Sequence, residues 1–237
     1  GWAAPSLLDS YTTERAPVGK QIVARANQSR FDYKYLKEVF GFDQGVTTQK
    51  QMLERIFAED EQGAEICQKL FEALEIKNFE FNAQGVELNQ RYSSNTVIAE
   101  SEPEIFEKDE QLYLQATTRP GAKVPHTWLI NAKGQKQSTL DITGKGRFTL
   151  RTGLSGKGWK QAAEALDLPY LDVTQIGSRG YRDVYGTWNA KSEIHESGAV
   201  LVCPDGYVAW RYQDSTNKAF DYENTLKAVL KQVQLVI

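Results

Sequence analysis

Residues 147–166, RFTLRTGLSGKGWKQAAEAL, constrain the fold more than any other part of this chain. RFTLRTG places Phe148 and Leu150 on one face, as a strand does, and GWKQAAEAL has helical spacing. Between them TGLSGKG is a glycine-rich loop. YLDVTQIG follows as a second strand, and GAVLVC is nearly all apolar, as a strand covered on both faces is. PDG at 204–206 has strong turn chemistry, and YVAWRYQ returns antiparallel. Leu226, Val229, Leu230 and Val233 then form one stripe of a final helix. Upstream, HTWLIN, the turn AKGQ and KQSTLDI read as a hairpin.

Strand, helix, strand, helix, strand, hairpin, helix is the order of a thioredoxin fold, an α/β layer structure. In a redox-active thioredoxin the first strand–helix loop carries two cysteines two residues apart, and here that loop has none. The position before the AVLV strand, where active thioredoxins place a cis-proline, is Gly198-Ala199. Disulfide exchange requires a thiolate at that loop, so this half is expected to be redox-silent, and the same absence argues against a peroxiredoxin. Cys67 shares a helical face with Ile66, Leu70 and Leu74, and Cys203 ends an apolar run. Both read as small buried hydrophobes, with a disulfide between them left open. Two distant cysteines in 237 residues fit a reducing cytoplasm.

The first third is helical. Residues 5–41 carry apolar positions at helical spacing, with Pro5 at the start and Gly41 as the stop, and Pro17 is expected to kink or divide this helix. TTQKQMLERIFAED and EQGAEICQKLFEAL follow as shorter helices, the first capped by Thr47 or Thr48. FEFNAQGVELNQRYSSNTVIAE alternates in part and is expected to contain strands, and SEPEIFEKDE is a charged loop. The resulting division is helical residues 1–78, a connecting segment 79–121, and a thioredoxin-like domain 122–237.

A net charge of −3, with no basic patch among aromatics, gives no reason to expect nucleic acid. No apolar run approaches the roughly 18 residues of a membrane span, and GWAAPSLLDSYTTER is not a signal peptide. Catalytic constellations are mostly missing. There is no GxGxxG after a strand and no Walker loop, and GKGRF and SGKGW lack the P-loop spacing. Two histidines cannot make a histidine-rich metal site. His126, after Pro125, reads as a hydrogen-bonded structural residue at a strand entrance, and His195 as a solvated helix-end residue. Carboxylate pairs such as Asp60 and Glu61 lie in charged surface stretches. These residues point to no catalytic, cofactor-binding or metal-binding group.

LLDSYTTERAPVGKQIV, RYSSNTVI, PGAKVPHTWL, STLDITGKGRFTLRTG and VLVCPDGYVAWR occur in the order seen in single-component FAD-dependent aromatic (phenol) hydroxylases, which this chain resembles over nearly its whole length. The STLDITGKGRFTL run is most similar to the 2,4-dichlorophenol 6-monooxygenase branch. The resemblance implies a parent enzyme that uses NADPH and FAD to hydroxylate a phenol ortho to its hydroxyl, with an aromatic small molecule as substrate. It also implies a C-terminal thioredoxin-like domain without active cysteines, which packs on the catalytic body and at subunit contacts of a homo-oligomer. The family's FAD fingerprint, DG motif and GD motif are not in this sequence. The chain is therefore expected to be a C-terminal fragment whose partner is the missing flavin domain, with no cofactor of its own. Two positions depart from the family: Cys203 stands where arginine is usual, and Lys123 where PGAR is usual, each removing a bidentate donor. Arg15, with Tyr11 one turn before it, is the candidate for a structural or interface residue. The other reading is a free-standing, redox-inactive thioredoxin-like interaction module with a helical extension.

Overall fold

The computed structural model describes residues 2–177, 180–214 and 219–236. The helices are α1 (Ser10–Phe40), α2 (Val46–Ile56), α3 (Glu61–Phe81) and α4 (Gln84–Leu88), then α5 (Lys157–Leu166), α6 (Thr187–Ser192) and α7 (Tyr222–Gln232). The strands are β1 (Trp128–Asn131), β2 (Lys136–Ser138), β3 (Phe148–Thr152), β4 (Leu171–Gln175), β5 (Tyr181–Arg182), β6 (Ala199–Val202) and β7 (Val208–Tyr212). They form two compact units. One comprises Gly1–Pro17, Asn89–Glu107 and Gln115–Ile237, the other Val18–Leu88 and Lys108–Leu114.

The first unit is built on a four-stranded sheet in the order β4-β3-β6-β7. β3 and β4 are parallel and joined through α5, whereas β3–β6 and β6–β7 are antiparallel. A second sheet, β2-β1-β5, is antiparallel throughout. Alternation along the strands sorts side chains to two faces. Phe148, Leu150 and Leu201 join Trp159 and Ala162 of α5 and Leu226 and Leu230 of α7 in one core. Val200 and Val202 point the other way, into a second core with Leu129, Trp188 and Ile194. That is why AVLV is buried at every position. Complete burial of a leucine or phenylalanine side chain contributes about 1.5–3 kcal/mol, so these two layers hold the unit together. The outer edge of β7 is covered by loop backbone: Ile98 N donates to Ala209 O (2.8 Å) and Gly121 N to Val208 O (2.7 Å). A covered edge cannot recruit another strand.

In the second unit α3 turns Gly63, Ala73 and Lys77 inward. The Lys77 ammonium stands 3.4 Å from the centroid of the Tyr33 ring and donates to Ser29 O (3.0 Å). Arg25 donates to Asp32 at 2.8 Å and its guanidinium lies 5.2 Å from the Phe79 ring centroid. Asp60 caps α3 by accepting from Gly63 N (2.8 Å).

Three expectations change. α1 is not divided at Pro17 but runs on as one helix to Phe40, since a proline removes one backbone donor and the turns on either side of it keep theirs. The N-cap of α2 is Gly45, not Thr47 or Thr48; Thr48 Oγ1 instead reaches back to Gln44 O (3.2 Å). Residues 79–121 hold no strand among those described: α3 continues to Phe81, and Val86 is buried on α4. The alternation there spans too few residues to impose a two-residue period. The stop at Gly41 (φ +63°) and the 128–138 hairpin follow the sequence reading. Cys67 and Cys203 are both half-buried free thiols.

Candidate functional site

The segments that carry the family resemblance converge in the first unit. Glu14 Oε1 accepts from Ser94 Oγ and from Thr96 Oγ1, both at 2.6 Å. Arg15 Nη1 donates to the Tyr92 hydroxyl (2.7 Å), and the Tyr92 ring stacks on Tyr207 with centroids 3.8 Å apart and planes at 11°. The Tyr207 hydroxyl donates to Gln90 Oε1 (2.7 Å). TTER, RYSSNT and CPDGY are thus one hydrogen-bonded layer. PGAKV joins it through the Lys123–Tyr207 bridge and the bond from Val124 N to Gly206 O (2.9 Å). TGKG joins it at Gly144 (φ +73°), where a Cβ would lie 2.4 Å from Pro204 O, so only glycine fits. Burial, then the neighbouring Tyr92, push the Tyr207 phenol well up. The Cys203 thiol is also raised well above its usual value, by burial first and then by Asp205 and Glu14.

Arg15 itself is exposed, and its guanidinium meets one phenol hydroxyl instead of forking onto a carboxylate or carbonyl. Tyr11 is 69% exposed. Leu8 and Ile22 are exposed as well, whereas Val18 is buried. His126 stands before β1 with Nδ1 2.7 Å from Ser138 Oγ, and its ring meets Trp128 edge-on. It lies apart from the tyrosine layer, joined to it by none of the bonds above.

The loop between β3 and α5 is closed by a residue that sequence reasoning missed, Glu196. Its carboxylate accepts from Leu154 N (2.6 Å) and its carbonyl from Ser155 N (3.1 Å). A Cβ on Gly153 would lie 2.6 Å from Glu196 O, and one on Gly198 2.5 Å from Gln213 O. Both glycines are therefore required by close backbone approach. Beside this contact lies a cleft of about 170 Å³, lined by Ile176, Trp188, His195 and Glu196 among others. α5 starts beneath the loop and is anchored by Trp159, which is fully buried and donates to Ser197 O (3.0 Å).

The loop between β3 and α5 does not fit the phosphates of a flavin dinucleotide. A phosphate cradle needs glycine backbone open to the ligand, and this loop turns its glycines onto protein, whereas Gly146 of GKGRF faces open space. A Cβ at Gly156 would strike Thr152 Oγ1, and one at Gly158 the Tyr222 ring. No group of three or more His, Cys, Asp or Glu among the described residues is placed to hold a metal ion, and none of their helices is long and apolar enough to cross a membrane.

Residues 117–233 match the family described as aromatic-ring hydroxylase, C-terminal. The chain is 39% identical over 98% of its length to 2,4-dichlorophenol 6-monooxygenase of Cupriavidus pinatubonensis, and 39% identical over 90% to phenol 2-monooxygenase of Pseudomonas sp. strain EST1001. It spans 40% and 36% of those two proteins. Among solved structures it superposes on the flavin-dependent monooxygenase PieE in complex with FAD and substrate, with a TM-score of 0.88 and 41% identity, covering 98% of this chain and 41% of that one. A more distant likeness is to aklavinone-11 hydroxylase with FAD and aklavinone, with a TM-score of 0.66 and 26% identity, covering 99% of this chain and 36% of that one. With its α/β unit matched by the family's C-terminal domain and nearly its whole length aligned to phenol monooxygenases, the chain belongs to the aromatic-ring hydroxylases.

Proposed function

We propose that this chain is the C-terminal part of a single-component phenol hydroxylase that uses NADPH and FAD to hydroxylate a phenol ortho to its hydroxyl in the cytoplasm. The observation that carries the reading is the 39% identity to 2,4-dichlorophenol 6-monooxygenase along 98% of the chain, together with the meeting of its five resembling segments through hydrogen bonds, a ring stack and close backbone packing. The flavin, the nicotinamide and most of the aromatic pocket are assigned to a domain outside this sequence, since the chain spans 40% of that relative and the glycines of its β3–α5 loop face protein.

On this reading residues 122–237 are a redox-silent, thioredoxin-like scaffold. The order β3-α5-β4 followed by β6-β7-α7 supports the fold, and the closure of the cysteine-less loop by Glu196 supports the loss of chemistry. Residues 1–78 are the helical end of the catalytic body. Leu8, Tyr11 and Ile22 are exposed apolar positions of the kind that mark interfaces, and they are assigned to contacts with the flavin domain or a second subunit. Arg15 and His126 are structural, through Tyr92 and Ser138.

The test is to express the complete open reading frame and follow phenol-dependent NADPH oxidation and oxygen uptake. Catechol formation matched to NADPH is the expected result, whereas a flavin-free product with no phenol-dependent oxidation overturns the reading. The isolated 237-residue chain is expected to bind no flavin, and a yellow preparation near one equivalent of FAD contradicts that assignment.

A further inference from the structure

Arg151 lies on β3 with no exposed surface, on the face that also carries Val200 and Val202 of the neighbouring strand. Its surroundings are apolar: Val124, Leu129 and Trp188 pack in the same layer, and the guanidinium carbon is 5.4 Å from the Trp188 ring centroid. No carboxylate pairs with it among the described residues. Nη2 donates to Thr139 O and to Thr143 Oγ1, but Nε and Nη1 have no acceptor. The Thr127 hydroxyl is the third buried side-chain polar atom without a partner, and these three are the full set among the described residues. Both residues are tied to Thr139. Thr127 N donates to Thr139 Oγ1 (2.9 Å) and Thr139 N to Thr127 O (2.9 Å), while the Thr139 carbonyl is the acceptor of Arg151.

A guanidinium removed from water without a counter-charge is strongly disfavoured, and buried charges in stable proteins are paired. Desolvation holds Arg151 down to about 9, so it is still a cation at neutral pH. Its free groups are N–H donors, and the neighbouring hydroxyl can donate as well. A water molecule can accept from the guanidinium and donate to the Thr127 oxygen, but it leaves the charge uncancelled. An anion accepts from every free group and cancels the charge. The packed side chains of Val124, Leu129 and Trp188 favour a single-atom ion over a phosphate or a carboxylic acid.

We propose that Arg151 and Thr127 form a buried site for one small monovalent anion of the halide class, held by the free guanidinium N–H groups and the Thr127 hydroxyl. The ion locks the loop of Thr139 and Thr143 to β3. That loop leads into Gly144, which packs on Pro204 O in the tyrosine layer, so anion binding stabilises the unit. The proposal is independent of the catalytic reading above.

The experiment measures thermal unfolding of the 237-residue chain in sodium chloride, bromide and gluconate at equal ionic strength, with a crystal structure from bromide carrying anomalous data. A ligand that binds only the folded state raises the melting temperature with its concentration. Chloride and bromide are expected to raise it with a saturating dependence that gluconate lacks, and bromide to give an anomalous peak at the guanidinium. Thr127→Val keeps the shape and the arginine, and is expected to shift the half-saturating concentration up at least about fivefold. Arg151→Met should abolish the dependence if it folds. Equal melting temperatures in chloride and gluconate overturn the proposal. So does a water in place of bromide, an adventitious ion only (a peak with no effect on unfolding), or an unchanged Thr127→Val response.

Discussion

Arg15 and Tyr92 meet through one 2.7 Å hydrogen bond that ties an exposed helical arginine to a buried phenol. Tyr92 lies flat on Tyr207, whose hydroxyl is itself bonded to Gln90. The layer is therefore closed at its rim by Arg15 and at its far side by Gln90. Removing the Tyr92 hydroxyl leaves the stack intact and deletes one bond, so Tyr92→Phe is expected to cost about 1 kcal/mol in urea unfolding. Arg15→Ala should cost a similar amount, while the complete enzyme keeps its Michaelis constant for the phenol. The double variant should cost little more than either single one, because the two changes delete the same bond. Full additivity would show that the pair is not coupled.

Glu196 offers a sharper test of the scaffold reading. Leu154 N depends on its carboxylate, whereas Ser155 N depends on its backbone carbonyl. Glu196→Ala should therefore speed amide hydrogen exchange at Leu154 far more than at Ser155. Glu196→Gln keeps an acceptor oxygen and should restore much of the protection. Equal acceleration at both amides would mean the whole loop is released, and the carboxylate is not the specific closure.

How far this fold was legible in the sequence depends on whether a signal was local. AVLV, the PDG turn and the stripe of Leu226, Val229, Leu230 and Val233 each state their own environment, and each lies where expected. Gly41 stops α1 because a left-handed residue costs glycine nothing. The strand expectation for 79–121 failed because that segment's backbone partners are remote: Tyr92 N on Gly121 O, and Ile98 N on Ala209 O. Glu196 and Arg151 escaped notice for the same reason. A glutamate in KSEIHESG and an arginine in RFTLRTG look solvated until the facing backbone is known. The resembling segments gave the best hint of the site, since five motifs scattered along a chain are expected to meet.

The ion pair of Arg91 and Glu104 predicts a limb of the acid unfolding curve. Both Arg91 Nε and Nη2 lie 2.7 Å from the Glu104 oxygens, a two-point contact on partly buried groups. Burial pushes the Glu104 carboxyl up, but the hydrogen bond and charge of Arg91 outweigh it, and the group ends below its ordinary value. A carboxyl depressed on folding contributes stability that is fully present above its unfolded value, about 4.3. The contribution is lost as pH falls through the folded value. Arg91→Met should lower stability at pH 7 and flatten this acid limb. A variant whose pH profile below about 4.3 parallels that of the parent would show that Glu104 is not what titrates there.

Cys203 follows β6, and its amide donates to Tyr207 O (2.7 Å) across the PDG turn. A low thiol pKa needs a helix N-terminus or a neighbouring cation. Among the described residues neither acts on its sulfur: burial, then the negative charges of Asp205 and Glu14, push the thiol up and hold it protonated. Thiolate is the reactive species in alkylation and in disulfide exchange. In the folded chain Cys203 should therefore react with iodoacetamide much more slowly than in urea, and the chain should not catalyse insulin reduction. Asp205→Asn tests the electrostatic part. Removing that charge should lower the thiol pKa and speed labelling at pH 8, while burial still keeps the rate below that of the unfolded chain. Labelling of the native protein at the unfolded rate, or turnover of insulin, would remove the basis for a redox-silent scaffold.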